Sequence, residues 1–307
     1  MRYLVMMSSA LLGLGCPGPP PVVDAGRPAP DAGPERIVDG GTLGPLQLGS
    51  IDLVQRARTT GQTVRFTSSV QATFLEVAAG TPNPCVERID GRCTVRVCNA
   101  GGAVVGTPRR AGVLTLEGAL VVDRPDGGPD AGADAGSDGG ADAGGLNTDG
   151  GVLTLGPGEG GTAVVTVPAR LFTAGQTLVV RATGDEVPAF ASPPLEAPSQ
   201  LIVTSPVCDS PCTVTRALPV RVSWRNAPAG DVSIELVGRQ VSARCTASGR
   251  EERFDLEPSV LEEFPPSVEL GDTSLVISGV SASSFDAGGF RVTVRASTPT
   301  LVPLVLE

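Results

Sequence analysis

The feature that most constrains the fold of this 307-residue chain is a series of short runs in which apolar, mostly β-branched residues alternate with Arg, Thr or Ser. A period of two places successive side chains on opposite faces of an extended strand, and Gly, Pro, Asn and Asp bound the runs as turn residues do. Their spacing of roughly ten to fifteen residues favours β-sandwiches over alternating strands and helices. The runs lie at residues 62–78, 93–98, 161–169, 176–184, 218–226, 231–238 and 288–297. The sequence therefore predicts an all-β protein.

Two local signals add detail to this prediction. Asp90-Gly91 is predicted to form the type I′ turn of a β-hairpin. Residues 257–264 alone indicate a helix, with Ser259 as its N-cap. Because aromatic residues make up only 3% of the chain, any core must consist mainly of Val, Leu and Ala.

The length of the chain allows two domains, and we expect β-sandwich domains at 37–198 and 199–307. The words Gly-Val-Leu-Thr-Leu occur at both 112–116 and 151–155. Two similar strand-like segments on either side of residues 124–149 predict an insertion in a loop of the first domain. A boundary between separate domains is the alternative.

The predicted insertion contains the most regular pattern of the chain. Over 126–145, Asp recurs at every fourth position among Ala and Gly, and residues 123–150 carry a net charge of −6 from seven Asp and one Arg. Calcium loops commonly place ligands at alternate residues and close with a bidentate Glu, and neither feature occurs here. Glycines cost a helix about 1 kcal/mol each. We predict a disordered tether, with a weak calcium site as the alternative.

Two absences limit the chemistry. The chain has no His, and all 23 basic residues are Arg, so it has no Lys either. This excludes Ser-His-Asp, Cys-His and Ser-Lys arrangements, the P-loop lysine and the Schiff-base amine. We predict no catalytic residues, no cofactor and no metal site.

A carboxylate pair of the glycosidase type is the one familiar catalytic arrangement left, and it needs two Asp or Glu in a cleft. The acidic residues closest together in sequence are expected to form a solvated face instead. These residues are Glu251, Glu252, Asp255, Glu262 and Glu263.

Arginines within the alternating runs are expected to point outward, opposite buried Val. A carbohydrate- or anion-binding surface is the alternative for them. The arginines in question are Arg96, Arg181, Arg221 and Arg295.

The N-terminal residues have the pattern of an export signal. One Arg precedes an apolar run over 3–14, which is too short to span the ~30 Å hydrocarbon core of a bilayer. Residues 16–36 contain seven prolines and are expected to form a Pro-rich disordered tether.

Residues 12–16, Leu-Gly-Leu-Gly-Cys, resemble the signal of bacterial lipoproteins, with Gly13 at a position where that family has Leu. The resemblance implies a lipoprotein signal peptide at 1–15 and lipid attachment to Cys16. Ordinary signal cleavage, an uncut anchor and a misread start are the alternatives. Cys16 is followed by Pro17 and not by an Asp of the kind that resembles an inner-membrane retention signal. The resemblance therefore implies the outer membrane or cell surface.

Six further cysteines are expected to form disulfides, because an exported protein meets an oxidising compartment. Three lie in each half of the chain, so full pairing requires a bridge between the halves. The alternatives are one free thiol in each half, or a zinc site that uses the Cys-x3-Cys at 208–212. The six are Cys85, Cys93, Cys98, Cys208, Cys212 and Cys245.

Trp224, the only Trp, has Cys212 before it and Cys245 after it, which resembles the Cys…Trp…Cys arrangement of immunoglobulin-like domains. The resemblance implies an Ig-like architecture for residues 199–307. The order of lipobox-like Cys, Asp-Ala-Gly-rich spacer and Val/Arg-alternating strands also resembles secreted lipoproteins of Gram-negative bacteria, which implies no activity.

We therefore expect a lipid-anchored, exported envelope or surface protein with a structural or ligand-binding role, and not an enzyme. A carboxylate-dependent extracellular hydrolase is the alternative, and a non-catalytic subunit of an envelope complex is a third possibility. The expected partners are the membrane, through the lipid, and a protein or glycan. The net charge of −10 argues against binding to nucleic acid.

Overall fold

A computed structural model describes residues 37–38, 46–60, 63–83, 85–98, 106–120, 151–158, 161–208, 211–227, 230–266 and 272–307. Among these residues, no helix is both long enough and apolar enough to cross a membrane. The predictions for the signal peptide at 1–15, Cys16, the tether at 16–36 and the insertion at 124–149 lie outside the described residues.

Almost all regular structure in the described residues is β-strand. The strands are β1 Ile37–Val38, β2 Leu46–Thr60, β3 Thr63–Val77, β4 Cys85–Asp90, β5 Cys93–Cys98, β6 Thr107–Pro108, β7 Leu114–Glu117, β8 Val152–Leu155, β9 Thr162–Val167, β10 Thr177–Ala182, β11 Phe190–Ala191, β12 Leu195–Glu196, β13 Ile202–Ser205, β14 Cys212–Val214, β15 Val220–Arg225, β16 Asp231–Val237, β17 Val241–Ser248, β18 Arg253–Leu256, β19 Thr273–Ala287 and β20 Phe290–Leu306. A 3-10 turn at Gly249–Glu251 and helix α1 at Pro258–Leu261 interrupt them. The all-β prediction is confirmed.

Each predicted run overlaps a strand, but both local signals need correction. Helix α1 begins at Pro258 and has Glu257, not Ser259, at its N-cap; the fixed φ of Pro258 suits the first helical turn. The predicted hairpin joins β4 and β5, and its turn residues are Gly91 and Arg92. Only Gly91 has a positive φ there, whereas a type I′ turn needs positive φ at both central residues.

Twelve strands form one long sheet. Its path runs β1-β4-β5-β17-β16-β19-β20-β2-β3-β6, with β14 added to β20 and β9 added to β3. The pairs are antiparallel except β2 with β20 and β14 with β20.

Two smaller sheets pack on the same face of the long sheet. The five-stranded sheet holds β7, β8, β10, β11 and β12, and the three-stranded sheet holds β13, β15 and β18. In β20, Val292 and Ala296 lie in one hydrophobic core, and Leu304 and Leu306 lie in the other. Side chains an even number of residues apart share a face of a strand, so both cores lie on one face.

Core 1 lies between the long sheet and the five-stranded sheet, around Leu53, Phe74 and Phe172. Core 2 lies between the long sheet and the three-stranded sheet, around Trp224, Leu236 and Leu256. Trp224 is 1% exposed, and its indole N–H donates to the carbonyl of Gly249 at 3.2 Å. This packing of sheet on sheet is the predicted sandwich architecture.

Both cores draw residues from each side of the predicted domain boundary at 198/199. Core 1 contains Phe290 and Val292 of β20. Core 2 contains Cys93 and Val95 of β5, which pairs with β17. Strands β7 and β8 pair antiparallel. Pairing of these two segments is the arrangement that the repeated Gly-Val-Leu-Thr-Leu sequence favours.

All six predicted disulfide cysteines are bonded. Cys85–Cys98 joins the two strands of the β4–β5 hairpin. Cys208–Cys212 joins two residues that are four apart in sequence. Cys93–Cys245 joins residues 152 apart in sequence, and it is the predicted bridge between the halves. Cys212 and Cys245 therefore flank Trp224 in sequence without bonding to each other. The alternatives of free thiols and of a zinc site at 208–212 are wrong, because these thiols bond to one another.

Candidate functional site

The predicted acidic residues do not converge on one point. Both carboxylate oxygens of Glu251 accept hydrogen bonds from Nη1 of Arg92 at 2.8 Å. This bonding to Arg92 outweighs desolvation and lowers the pKa of Glu251. Asp255 pairs with Arg221 at 3.0 Å. A general acid of a glycosidase needs a raised pKa, so the lowered pKa of Glu251 does not suit that role.

The remaining members of this set are also dispersed. Glu263 pairs with Arg88 at 2.8 Å. Glu252 follows the 3-10 turn with φ of 56°, and its carbonyl accepts from the backbone N–H of Trp224 at 3.0 Å. Glu262 is the C-cap of α1. Glu251 and Asp255 both line an open depression of about 470 Å³, but an arginine neutralises each of them.

The predicted strand arginines all face carboxylates. Arg96 lies 3.8 Å from Glu87, Arg181 2.6 Å from Glu117 and Arg221 3.0 Å from Asp255. Arg295 lies 2.6 Å from Glu235, and its side chain is only 21% exposed. Arg295 thus differs from the outward arginine that alternation alone predicts.

Arg295 belongs to the face of the long sheet opposite the two cores, which we call the open face. Its side chains are mostly short and polar, with Ser50, Gln71, Thr73 and Thr246 among them. Exposed apolar residues such as Val164 are scattered over it. The open face spans the width of both cores.

The open face is folded along a line that crosses β19 and β20. Glu235 stands opposite Val276 of β19, whereas Arg295 stands opposite Ala282. Six residues of flat strand span about 20 Å at ~3.3 Å per residue, yet the two side chains are in contact at 2.6 Å. The sheet must therefore curve toward the open face, and we call the resulting hollow the crease.

Burial of small side chains agrees with this curvature. Ser233, Ser278 and Ser297 point to the open face, and they are only 6%, 3% and 7% exposed. On the covered side of the bend, the hydroxyl of Thr298 donates to the Ser199 carbonyl at 2.8 Å. A Cβ on Gly279 would stand 2.8 Å from that same carbonyl oxygen, so the bend needs a residue without a side chain there.

Four charged residues meet in the crease. Glu235 accepts hydrogen bonds from Arg295 at 2.6 Å and from Ser233 at 2.9 Å, and Arg244 lies 3.1 Å from it. Asp52 stands opposite Arg295 on the neighbouring strand β2. Two carboxylates and two guanidinium groups give the crease no net charge.

The two carboxylates respond to the crease in opposite ways. Burial raises the pKa of Asp52, and the charges of Arg295 and Arg244 only partly offset this. Burial also acts to raise the pKa of Glu235, but the hydrogen bond and charge of Arg295, with help from Arg244 and Ser233, outweigh it and lower the pKa. Relative to its ordinary pKa, Asp52 is easier to protonate in the folded protein, whereas Glu235 is harder to protonate.

The sequence identified Arg295 but not its partners. Asp52, Glu235 and Arg244 stand in alternating segments with no motif around them. Their proximity depends on the neighbours β2-β20-β19-β16-β17, and residue periodicity does not encode that order. Among the described residues, no cluster of three or more Cys, Asp or Glu is arranged to hold a metal ion.

The fold defines an all-β protein in which two sandwiches share one sheet. No family model matches the chain, and no curated protein matches it. Among solved structures, it is similar to the FN1–FN3 domains of chicken CNTN1, at 10% identity over 78% of each chain with a TM-score of 0.21. A similarity with this TM-score supports no conclusion about fold or function.

Proposed function

We propose that this chain is an exported, lipid-anchored envelope or surface protein whose β body acts as a structural or partner-binding module. The observation that carries the proposal is the open face, a polar sheet surface across both cores whose central charges already neutralise one another. A surface with satisfied charges and short polar side chains suits contact with another macromolecule better than chemistry on a small substrate.

Two further observations support export. Three disulfides hold the described body together, and disulfides persist in oxidising compartments outside the cytoplasm. The lipobox-like residues 12–16 supply a means of anchoring, since several acyl chains at ~0.8 kcal/mol per buried CH₂ hold a soluble body on a membrane durably.

Lipid attachment is tested by growing a Gram-negative host that expresses the chain with radioactive palmitate. We expect label on the wild type and none on Cys16→Ala. Cys208→Ala/Cys212→Ala is the matched control, because it removes two disulfide-bonded cysteines elsewhere and should keep the label. Equal labelling of the wild type and Cys16→Ala would rule out the anchor.

Use of the open face is tested by photo-crosslinking in intact cells. A photoreactive residue at Gln71, exposed on the open face, should give a discrete crosslinked species. The same residue at Thr204, on the outer surface of the three-stranded sheet, should not. Indistinguishable products from the two positions would contradict a role for the open face.

One observation favours the second candidate, a carboxylate-dependent hydrolase. Asp52 and Glu235 have pKa values displaced in opposite directions, as acid and nucleophile pairs do. The bonding of Glu235 to Arg295 argues against it, because that carboxylate is occupied. Hydrolysis of an aryl glycoside or aryl ester that disappears in both Asp52→Asn and Glu235→Gln would support this candidate over the first.

A further inference from the structure

Strands β2 and β3 continue beyond the long sheet as a two-stranded arm. Strand β20 pairs with β2 only as far as Val54, and β9 pairs with β3 only from Ser68 onward. Residues 56–60 and 63–67 pair with each other alone, and we call them the arm. At ~3.4 Å per residue, five residue pairs reach about 17 Å.

The base of the arm is fastened to the body. The side-chain oxygen of Gln55 accepts from the backbone N–H groups of Leu171 and Phe172 at 2.8 and 3.0 Å. The guanidinium of Arg170 stacks on the ring of Phe66, 4.2 Å from its centre. The arm is therefore held in a defined direction and presents a fixed surface.

One face of the arm is positively charged. Arg56 and Arg58 are two residues apart on β2, and Arg65 stands directly opposite Arg58 on β3, so the three side chains share a face. All three are exposed. No Asp or Glu occurs between Asp52 and Glu76, and no ion pair involves these three arginines within the described part of the chain.

This arrangement has a cost that no contact within the described residues offsets. Like charges directly opposite each other on paired strands destabilise the pairing. The contrast with Arg96, Arg181, Arg221 and Arg295 is informative, since each of these faces a carboxylate. In a chain with net charge −10, an arm with three arginines and no acid indicates an external anionic ligand.

We propose that the arm binds an anionic polysaccharide through carboxylate, sulfate or phosphate groups. Guanidinium forks pair with such groups in bidentate geometry. The exposed hydroxyls of Thr63 and Thr67, on the same face of β3 as Arg65, add hydrogen-bonding groups for sugar hydroxyls. The inference rests on the proposed binding role and names the partner class for a different part of the molecule.

The other anionic partners fit less well. A protein interface needs buried aromatic or aliphatic anchors, and Val64, 49% exposed, is the one exposed apolar side chain described on the arm. A membrane is a charged plane that would repel the net negative charge of the whole chain. A single polymer strand can contact the arm alone and stay beyond the ~8 Å screening length of the remaining charges.

The test measures binding of the purified full chain, in detergent, to polygalacturonate, with neutral dextran of matched length as the reference polymer. We expect saturable binding to polygalacturonate that weakens with added salt, and no binding to dextran. The triple variant Arg56→Gln/Arg58→Gln/Arg65→Gln should bind about 10- to 100-fold more weakly, and Arg58→Gln alone should fall between.

The matched control is Arg225→Gln/Arg250→Gln/Arg253→Gln, which removes three exposed arginines from the region of the three-stranded sheet. It should bind as the wild type does, and the thermal transition of both triple variants should match that of the wild type. Three results would overturn the proposal: equal loss in both triples, unchanged binding by the arm variant, or tighter arm-dependent binding to duplex DNA or anionic vesicles. The palmitate and crosslinking experiments do not involve the arm. A negative result in the polysaccharide experiment would therefore leave the proposed function unaffected.

Discussion

Asp52 and Glu235 lie in the same charge network, yet the pKa of Asp52 is raised and that of Glu235 is lowered. The difference arises because Glu235 accepts hydrogen bonds from Arg295 and Ser233. At this scale the sequence located individual side chains well. Alternation placed Arg295 on the face opposite the cores but did not predict that its side chain is only 21% exposed. Cysteine counting identified the six disulfide cysteines of the described residues. The sequence could not indicate that the sheet curves around Arg295, because curvature arises from contacts between distant strands.

Asp52→Asn should not destabilise the protein at neutral pH. Burial raises the pKa of Asp52 above its ordinary value of 3.8, so the folded state binds this proton more tightly than the unfolded state. The Asp52 contribution to stability is therefore most favourable in acid and falls as pH rises through its folded pKa. We expect the variant to equal or exceed the wild-type unfolding free energy at pH 7, by less than about 1 kcal/mol.

Urea unfolding at a series of pH values checks this expectation. Any advantage of Asp52→Asn should vanish in acid, where Asp52 is protonated in both states. The control is Asp231→Asn, which removes an exposed carboxylate from β16 of the same sheet. A loss of several kcal/mol in Asp52→Asn at pH 7 would mean that attraction to Arg295 and Arg244 outweighs burial.

Glu235→Gln should have the opposite behaviour. The lowered pKa of Glu235 means that its ionised form stabilises the fold, a contribution present above the ordinary value of 4.5 and lost as pH falls through the folded pKa. We expect a loss of about 1–3 kcal/mol at pH 7, because Arg295 and Arg244 lose their charged partner. The difference from the wild type should shrink in acid.

The control for Glu235 is Asp255→Asn. Asp255 also pairs with an arginine, but both side chains are largely exposed, at 42% and 65%. Exposed pairs contribute less than about 1 kcal/mol. Equal losses in the two variants, measured by the same urea titration, would show that burial in the crease adds nothing.

At the scale of elements, the runs with sharp polar-apolar contrast were predictable, and the long Ser-rich strand β19 was not. In β19, Ser278 is 3% exposed while Ala282 is exposed, so residue type and burial do not alternate together. The parallel pairing of β2 with β20 could not be predicted either. Its first pair joins Leu48 to Arg291, and no local sequence signal links segments so far apart in the chain.

Gly279→Ala tests the bend in β19. The new Cβ would approach the Ser199 carbonyl oxygen at 2.8 Å, and backbone on both sides must shift to relieve the clash. We expect a loss of about 1–3 kcal/mol in unfolding free energy. Gly230→Ala is the matched control, since its Cβ would meet its nearest atom at 3.7 Å and should change stability little.

The disulfides should differ in their contribution to stability according to the loop each one closes. Cys93–Cys245 spans 152 residues and Cys208–Cys212 spans 4, which in the chain-entropy account corresponds to about 5 and about 2 kcal/mol. Paired Cys→Ala variants compared by thermal unfolding check this order. A larger loss from Cys208→Ala/Cys212→Ala would contradict it.

At the scale of the whole molecule, the sandwich packing was predictable from strand number and spacing, but the sharing of strands was not. Because β19 and β20 line both cores, neither core can lose its strands without disturbing the other. We expect one calorimetric transition for the described body, and Leu116→Ala in core 1 and Leu256→Ala in core 2 should each lower its midpoint. Two transitions, each moved by one substitution, would show that the cores unfold separately.

The pairing of β2 with β20 also affects when the protein can fold during vectorial synthesis. Leu48 to Val54 find their partners on β20 only once Arg291 to Ser297 have been made, so core 1 cannot close before that point of synthesis. A polypeptide that stays open until this point remains threadable through a narrow translocation channel. Under the export proposed above, closure of the long sheet would be an event of the destination compartment, where Cys93 and Cys245 would also be oxidised.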